Sequence, residues 1–368
     1  MKEEKGSIAV KILVVVLVLL LGAAGVLLFL KFNNDKTVTT GNEETNTNTV
    51  EVKEEPKPIK TVQTFAGTDR AIAVMIDNVD DAKPQAGLND ACIVYEIIVE
   101  GGLTRYMAVF KGVDLDRIGP VRSSRHYFID YAMENDAIYV HFGWSPQAQN
   151  DISKFRINNI NGIVTPASTF TRVKDKAAPH NAVTSTAQIL NQAEAYGYRT
   201  TSEATSVLHY VVDEVNLDGE NAIDATHIVI PYPSEKAEFK YNKETQKYER
   251  YTDNVLQKDW MTKEVVATKN IIITFVSNST LNDGENKGRQ TISNIGSFKG
   301  YYITNGKAIS IMCTKTARDA KTVYKDLEGN EIDVNDGNTF IQICPTNSNV
   351  VIEGEPKPVQ ATTETENV

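Results

Sequence analysis

The stretch RIGPVRSSRHYFID, residues 117–130, crowds three arginines and a histidine around a Gly-Pro turn. The pattern that follows predicts a helix over about 122–134, so Arg122, Ser123 and Arg125 fall in or beside its first turn. A cation there costs about 0.3–1 kcal/mol against the helix dipole. Phe128, Ile129, Ala132 and Met133 form an apolar stripe at helical spacing, which puts the arginines at the head of the buried face. Burying them without a partner is far more costly, so an anion must meet them. It is either a carboxylate of the chain, with Glu96, Glu100, Asp77 and Asp130 within reach, or a phosphate-, sulfate- or carboxylate-bearing ligand. Guanidinium forks and free helix N–H groups suit the second task, and Arg105, Arg122, Ser123 and Arg125 are the candidate cradle.

Other residues could do acid–base work. Glu96 and Glu100 on one strand, with His141, are candidates for general acid and base on a glycosidic bond. His180 is an alternative base and, with Asn181 in the polar loop KAAPHNAVTS, a candidate ligand-binding residue. The chain has no GxSxG, no HExxH and no Cys–His pair at a recognisable spacing. Asp77, Asp80 and Asp81 lack the Gly and Glu of a calcium loop, so no metal and no cofactor is expected.

The elements that position these groups are legible in outline. AIAVMID (71–77), CIVYEIIV (92–99), LTRYMAVF (103–110) and AIYVHF (137–142) are strands. The second and third join through Glu100-Gly101-Gly102; a two-residue Gly101-Gly102 loop would place Glu96, Ile98 and Glu100 on one face with Leu103, Arg105 and Met107. Ser145-Pro146 opens one helix and the capping box Ser185-Thr-Ala-Gln188 another. From about 205 the pattern is mostly strands and hairpins, with Asn305-Gly306 as a type I′ turn.

A chain of 368 residues, 41% hydrophobic and 23% charged, is long enough for two domains. Its net charge of −10 gives no global field for nucleic acid, which is excluded as a partner. Residues 12–30, ILVVVLVLLLGAAGVLLFL, are uncharged and reach roughly 28 Å as a helix, enough to span a bilayer. Residues 33–60 are too polar to bury themselves and read as a flexible stalk with a reach on the order of 30 Å. Cys92, Cys313 and Cys344 cannot all pair and show no CxxC spacing; they read as small buried hydrophobes, with a Cys313–Cys344 bridge left open.

The segments AVMIDN, GLNDACIVYEIIVEGGLTRYMAVF, RIGPVRSSRHYFIDYA, DAIYVHFGWSPQA, APHNAVTS, GYYITNGK and NTFIQICP resemble the YerB-like family in order and spacing. The resemblance spans nearly the whole folded region. It implies an exported protein of a Gram-positive bacterium, with a two-part domain of unknown function and often a lipid anchor. This chain has no lipobox cysteine, so a membrane helix stands in for the lipid, and its three cysteines stand where the family usually has other residues.

The expected fold is therefore α+β: a mixed α/β domain at 65–204, then a mainly antiparallel β domain at 205–353. Ahead of it come a cytoplasmic 1–11, a transmembrane anchor at 12–30 and a stalk at 31–64; a disordered tail at 354–368 follows. The expected role is that of a single-pass, extracytoplasmic cell-envelope protein, held in the bacterial membrane by residues 12–30. It would bind an anionic wall polymer or another envelope component through the arginine cleft. A cell-wall glycan hydrolase and a structural protein–protein interaction module are the alternatives.

Overall fold

The strands of the first half are buried along their whole length because the sheet they join is covered on both faces. The computed structural model describes residues 60–354. The principal strands of its first part are β1 (Ile72–Asp77), β2 (Ile93–Ile98), β3 (Thr104–Phe110), β4 (Ile138–His141) and β5 (Asn159–Asn161). The principal strands of the second part are β6 (His227–Pro231), β7 (Lys236–Asn242), β8 (Lys247–Thr252), β9 (Asn270–Thr280) and β10 (Gly296–Thr304). They continue as β11 (Lys307–Lys315), β12 (Val323–Lys325), β13 (Thr339–Pro345) and β14 (Val351–Glu353). Three helices, α1 (His126–Glu134), α2 (Pro146–Lys154) and α3 (Thr186–Ala195), complete the frame.

One 12-stranded mixed sheet runs β12-β11-β10-β9-β13-β2-β3-β1-β4-β5, with two short strands attached at β9 and β11. Both parts of the chain contribute to it, and β13 lies between β2 and β9, parallel to both. A smaller sheet contains β8-β7-β6-β14. Alternation along each strand serves two cores. Tyr95, Ile97, Met107 and Val109 face Phe128, Ile129 and Ala132 of α1 and Ile152 of α2. Val94, Ile98, Tyr106 and Ala108 face Ile189 and Ala193 of α3 and, from the smaller sheet, Ile228, Ile230, Phe239 and Tyr248.

The expected helix caps form. Ser145 accepts from the Ala148 N–H and Ser185 from the Gln188 N–H, both at 3.2 Å. The box at Ser185 is half closed, since the Gln188 side chain turns instead to the Ser168 carbonyl. Ser185→Ala is expected to cost about 1 kcal/mol, read as a lower urea midpoint at unchanged slope. Asn305 and Gly306 both take positive φ between β10 and β11, as a type I′ turn requires.

Two sequence expectations are corrected here. First, α1 opens at His126 with Arg125 as its N-cap, not at Arg122. Residues 122–124 are extended because their backbone groups are already committed. The Arg122 N–H donates to the Met75 carbonyl, the Phe142 N–H to the Arg122 carbonyl, and the Ser124 N–H to the Gly143 carbonyl. Second, the β2–β3 turn uses three residues, with Val99 bonded to Leu103 across it and Gly101 and Gly102 both at positive φ. Glu96 therefore pairs with Tyr106, and Arg105 with Ile97. A one-residue change of register flips every side chain, so Glu96 and Arg105 occupy opposite faces.

All three cysteines are free and buried. Cys313 and Cys344 serve opposite cores, which rules out a bridge between them, and burial pushes both thiols up to about 12. Gln63 and Thr64, the end of the expected stalk, are docked by backbone N–H bonds to the Asp336 carboxylate. The segments expected at 1–11 and 12–30, the stalk up to residue 59 and the tail from 355 lie outside the described residues. Among the described residues no helix is long and apolar enough to cross a membrane.

Candidate functional site

Three pieces of chain converge at one end of the sheet. β1 ends on Asp77, which pairs in register with Arg105 near the start of β3. The three-residue turn between β2 and β3 supplies Glu100. The extended segment ahead of α1 supplies Arg122 and Arg125. Between them lies a cleft of about 350 Å³, lined by Asp77, Glu100, Arg105, Arg122 and Arg125, with Lys287 and Arg289 on a further wall.

The charges in the cleft do not balance. Arg125 makes a two-pronged pair with Glu100, Nε to Oε1 at 2.5 Å and Nη2 to Oε2 at 2.9 Å. Arg105 is left 3.9 Å from Glu100 Oε2 and donates to the Ser123 carbonyl at 2.8 Å. Arg122 Nε lies 3.2 Å from Asp77 Oδ2 without the alignment of a hydrogen bond, and this buried nitrogen has no acceptor. The same Asp77 oxygen accepts from His180 Nδ1 at 2.7 Å. Three guanidinium groups thus share two carboxylates, one of which also serves a histidine. Arg289 and Lys287 are neutralised away from the cleft by Asp283 and Glu285.

The crowding has an electrostatic signature. Burial, then repulsion from Arg125 and Arg122, brings Arg105 down to about 10, although Glu100 and Asp77 oppose the fall. Burial alone would raise Glu100, but its hydrogen bond to Arg125 and the charges of Arg125 and Arg105 hold it below the ordinary carboxylate range. Glu100 is therefore a fixed anion at neutral pH, which suits a positioning role and not that of an acid.

The remaining sequence-predicted residues divide. Glu96 is fully buried on the other face, held by Arg250, Thr104, Asn78 and Gln342, and does not meet Glu100. His141 is also fully buried: Nδ1 donates to the Gly143 carbonyl at 2.8 Å, Nε2 lies 3.2 Å from the Asn159 amide, and burial lowers it to about 4. It is a neutral packing residue between Tyr139 and Trp144. The Ser123 hydroxyl donates to the Phe142 carbonyl. Asn181 bonds Arg172 and the Val173 carbonyl, bracing its own hairpin. His180 touches the cleft through Asp77.

Sequence reasoning missed Lys287 and Arg289, which come from NDGENKGRQ, more than 160 residues beyond Arg122. No local signal connects that loop to the cleft. It also missed Arg250, one of a run of charged residues on β8; its fully buried neighbours on the smaller sheet, Phe239 and Tyr248, were the available hint.

With the fold and cleft described, comparison with known proteins gives a consistent result. Residues 59–199 match the family described as Protein of unknown function (DUF3048) N-terminal domain, and residues 228–341 its C-terminal domain. The "Putative lipoprotein YerB" of Bacillus subtilis (strain 168) is 31% identical over 288 residues, covering 75% of this chain and 81% of the relative. The crystal structure of YerB protein from Bacillus subtilis superposes with a TM-score of 0.69 at 29% identity, over 80% of this chain and 97% of that one. The shared fold is a two-part arrangement, mixed α/β and then β, with few helices. By both family segments and by this relative, the chain belongs to the YerB-like family of two-part proteins of unknown function.

Proposed function

We propose that the protein is a membrane-anchored, extracytoplasmic component of the cell envelope that binds an anionic ligand in the Arg105–Arg122–Arg125 cleft. The apolar run at 12–30 and a relative named as a lipoprotein support the address. One observation carries the binding reading: three guanidinium groups share two carboxylates, and the buried Nε of Arg122 has no acceptor. A phosphate, sulfate or carboxylate entering the cleft supplies the missing negative charge and the missing acceptor together. The acid–base glycan chemistry expected of Glu96, Glu100 and His141 finds no support in the geometry. Glu96 and His141 are fully buried and Glu100 is held ionised.

The test is calorimetric titration of the full-length protein in detergent with inorganic phosphate, pyrophosphate and purified wall teichoic acid. Arg122→Ala is expected to weaken binding about 10–100-fold, the loss of one or two hydrogen bonds to a charged group, with little change in melting temperature. Equal affinity in wild type and variant would sink the reading. A variant that melts many degrees lower would instead assign the arginine to the fold.

A further inference from the structure

Resting on that reading, we infer that the cleft is not only a binding site: Asp77, His180 and Arg122 form an acid–base site that hydrolyses a phosphodiester held by the arginines. The geometry meets on one atom. Asp77 Oδ2 accepts from His180 Nδ1 at 2.7 Å and lies 3.2 Å from Arg122 Nε, so imidazole and guanidinium flank the same oxygen. Asp77 is buried, its side chain 2% exposed, and is fixed at the end of β1 with its backbone N–H bonded to the Pro120 carbonyl. A buried carboxylate that accepts from Nδ1–H holds the ring in one tautomer, with the basic lone pair on Nε2. His180 is 16% exposed on its side chain, and its Nε2 has no protein partner among the described residues. A base oriented by a buried acid, beside cations that hold an anion, is the arrangement expected of a hydrolytic site.

The chemistry balances without a redox partner. A water molecule gives its proton to His180 Nε2 as its oxygen forms a new bond to phosphorus. The bond from phosphorus to one ester oxygen breaks, and the departing alkoxide takes a proton from solvent at the open mouth of the cleft. Arg105, Arg122 and Arg125 neutralise the non-bridging oxygens, where charge gathers in the transition state. Asp77 stabilises the imidazolium until His180 returns its proton to solvent. The products are a phosphomonoester and an alcohol. The same diester occurs in a lipid headgroup and in a polyol phosphate polymer.

Full-length protein in detergent is incubated with glycerophosphoglycerol and, separately, with phosphatidylglycerol vesicles, and new phosphomonoester is followed by phosphorus NMR. The wild type is expected to release monoester. Cleavage of the free diester alone points to a polymer as the source, and cleavage in vesicles alone to the lipid. His180→Asn and His180→Gln each keep a donor for Asp77 and are expected to lose at least about 100-fold in rate while still binding inorganic phosphate. In His180→Ala, added imidazole is expected to restore part of the rate. No monoester from either substrate, or wild-type rates in both His180 amide variants, would overturn this inference. If phosphate still binds in those experiments, the binding reading stands alone; if the wild type binds no phosphate, both fall.

Discussion

Arg250→Met is expected to destabilise the fold by about 3–5 kcal/mol, the usual cost of stranding one member of a buried ion pair. Arg250 and Glu96 are 1% and 0% exposed, and Nη2 lies 3.1 Å from both carboxylate oxygens. The arginine comes from β8 of the smaller sheet and the glutamate from β2 of the larger, so the pair fastens the two sheets together. Asn78 and Thr104 link Glu96 to a second buried carboxylate, Glu235, which Lys83 meets from its other side. Thr104 has one hydroxyl hydrogen for two carboxylate oxygens, so the network is already short of donors.

The deficit should depend on pH, and its sign follows from Glu96. Burial raises this carboxyl above its ordinary value; Arg250 opposes the rise and Glu235 adds to it. Removing Arg250 raises it further. A folded-state value above the unfolded one means that the native state holds the extra proton. Stability is then present in acid and lost as pH climbs through the raised value. Arg250→Met should therefore show its full deficit near pH 8 and a smaller one near pH 5. Adding Glu96→Gln should recover most of the loss at pH 8, because no buried charge is left unpaired. Urea unfolding at the two pH values checks both points. A deficit that does not change with pH would mean that lost packing against Phe239, and not the stranded charge, sets the cost.

Gly300→Ala has the next largest expected effect, about 3 kcal/mol, and its cause is steric. A β-carbon at Gly300 would lie 2.2 Å from the Ile273 carbonyl oxygen and 3.1 Å from Cys313 Sγ. The first contact is with the backbone of the neighbouring strand, which cannot rotate away as a side chain can. Gly300 pairs with Thr274 on one side and Ile311 on the other, so relief requires β9 and β10 to separate. The melting temperature should fall by several degrees. A Cys313→Ala background should relieve little of this, because it removes the lesser clash only.

These sites show what one sequence makes legible. Local signals read correctly: the caps at Ser145 and Ser185, the turn at Asn305-Gly306, and the largely apolar runs of β1 to β3. Each rests on neighbours within four residues or on a two-residue repeat. The β2–β3 turn shows where such reading stops. Gly101 and Gly102 announce a turn, but both two- and three-residue loops suit them, and the choice decides whether Glu96 meets Arg105 or Arg250. The arginines at 122 and 125 stood out by type and spacing. Their true setting, an extended strip clamped between β1 and the two residues after β4, depends on backbone bonds to Met75, Phe142 and Gly143 that no local pattern encodes. Lys287, Arg289 and Arg250 arrive from the second part of the chain, beyond the reach of periodicity.

The place of β13 sets the order in which the chain can become itself. Glu96 and Gln342 touch across 246 residues of sequence, and β2 has no partner on that side until the chain has been made as far as Thr339. Closing so long a loop is slow and delays the reward of pairing. Until it closes, β2 and β9 each present an open, apolar edge, the form of strand most prone to join another chain. The last long strand is therefore the keystone: the two parts named by the family mature together, and neither completes its sheet alone.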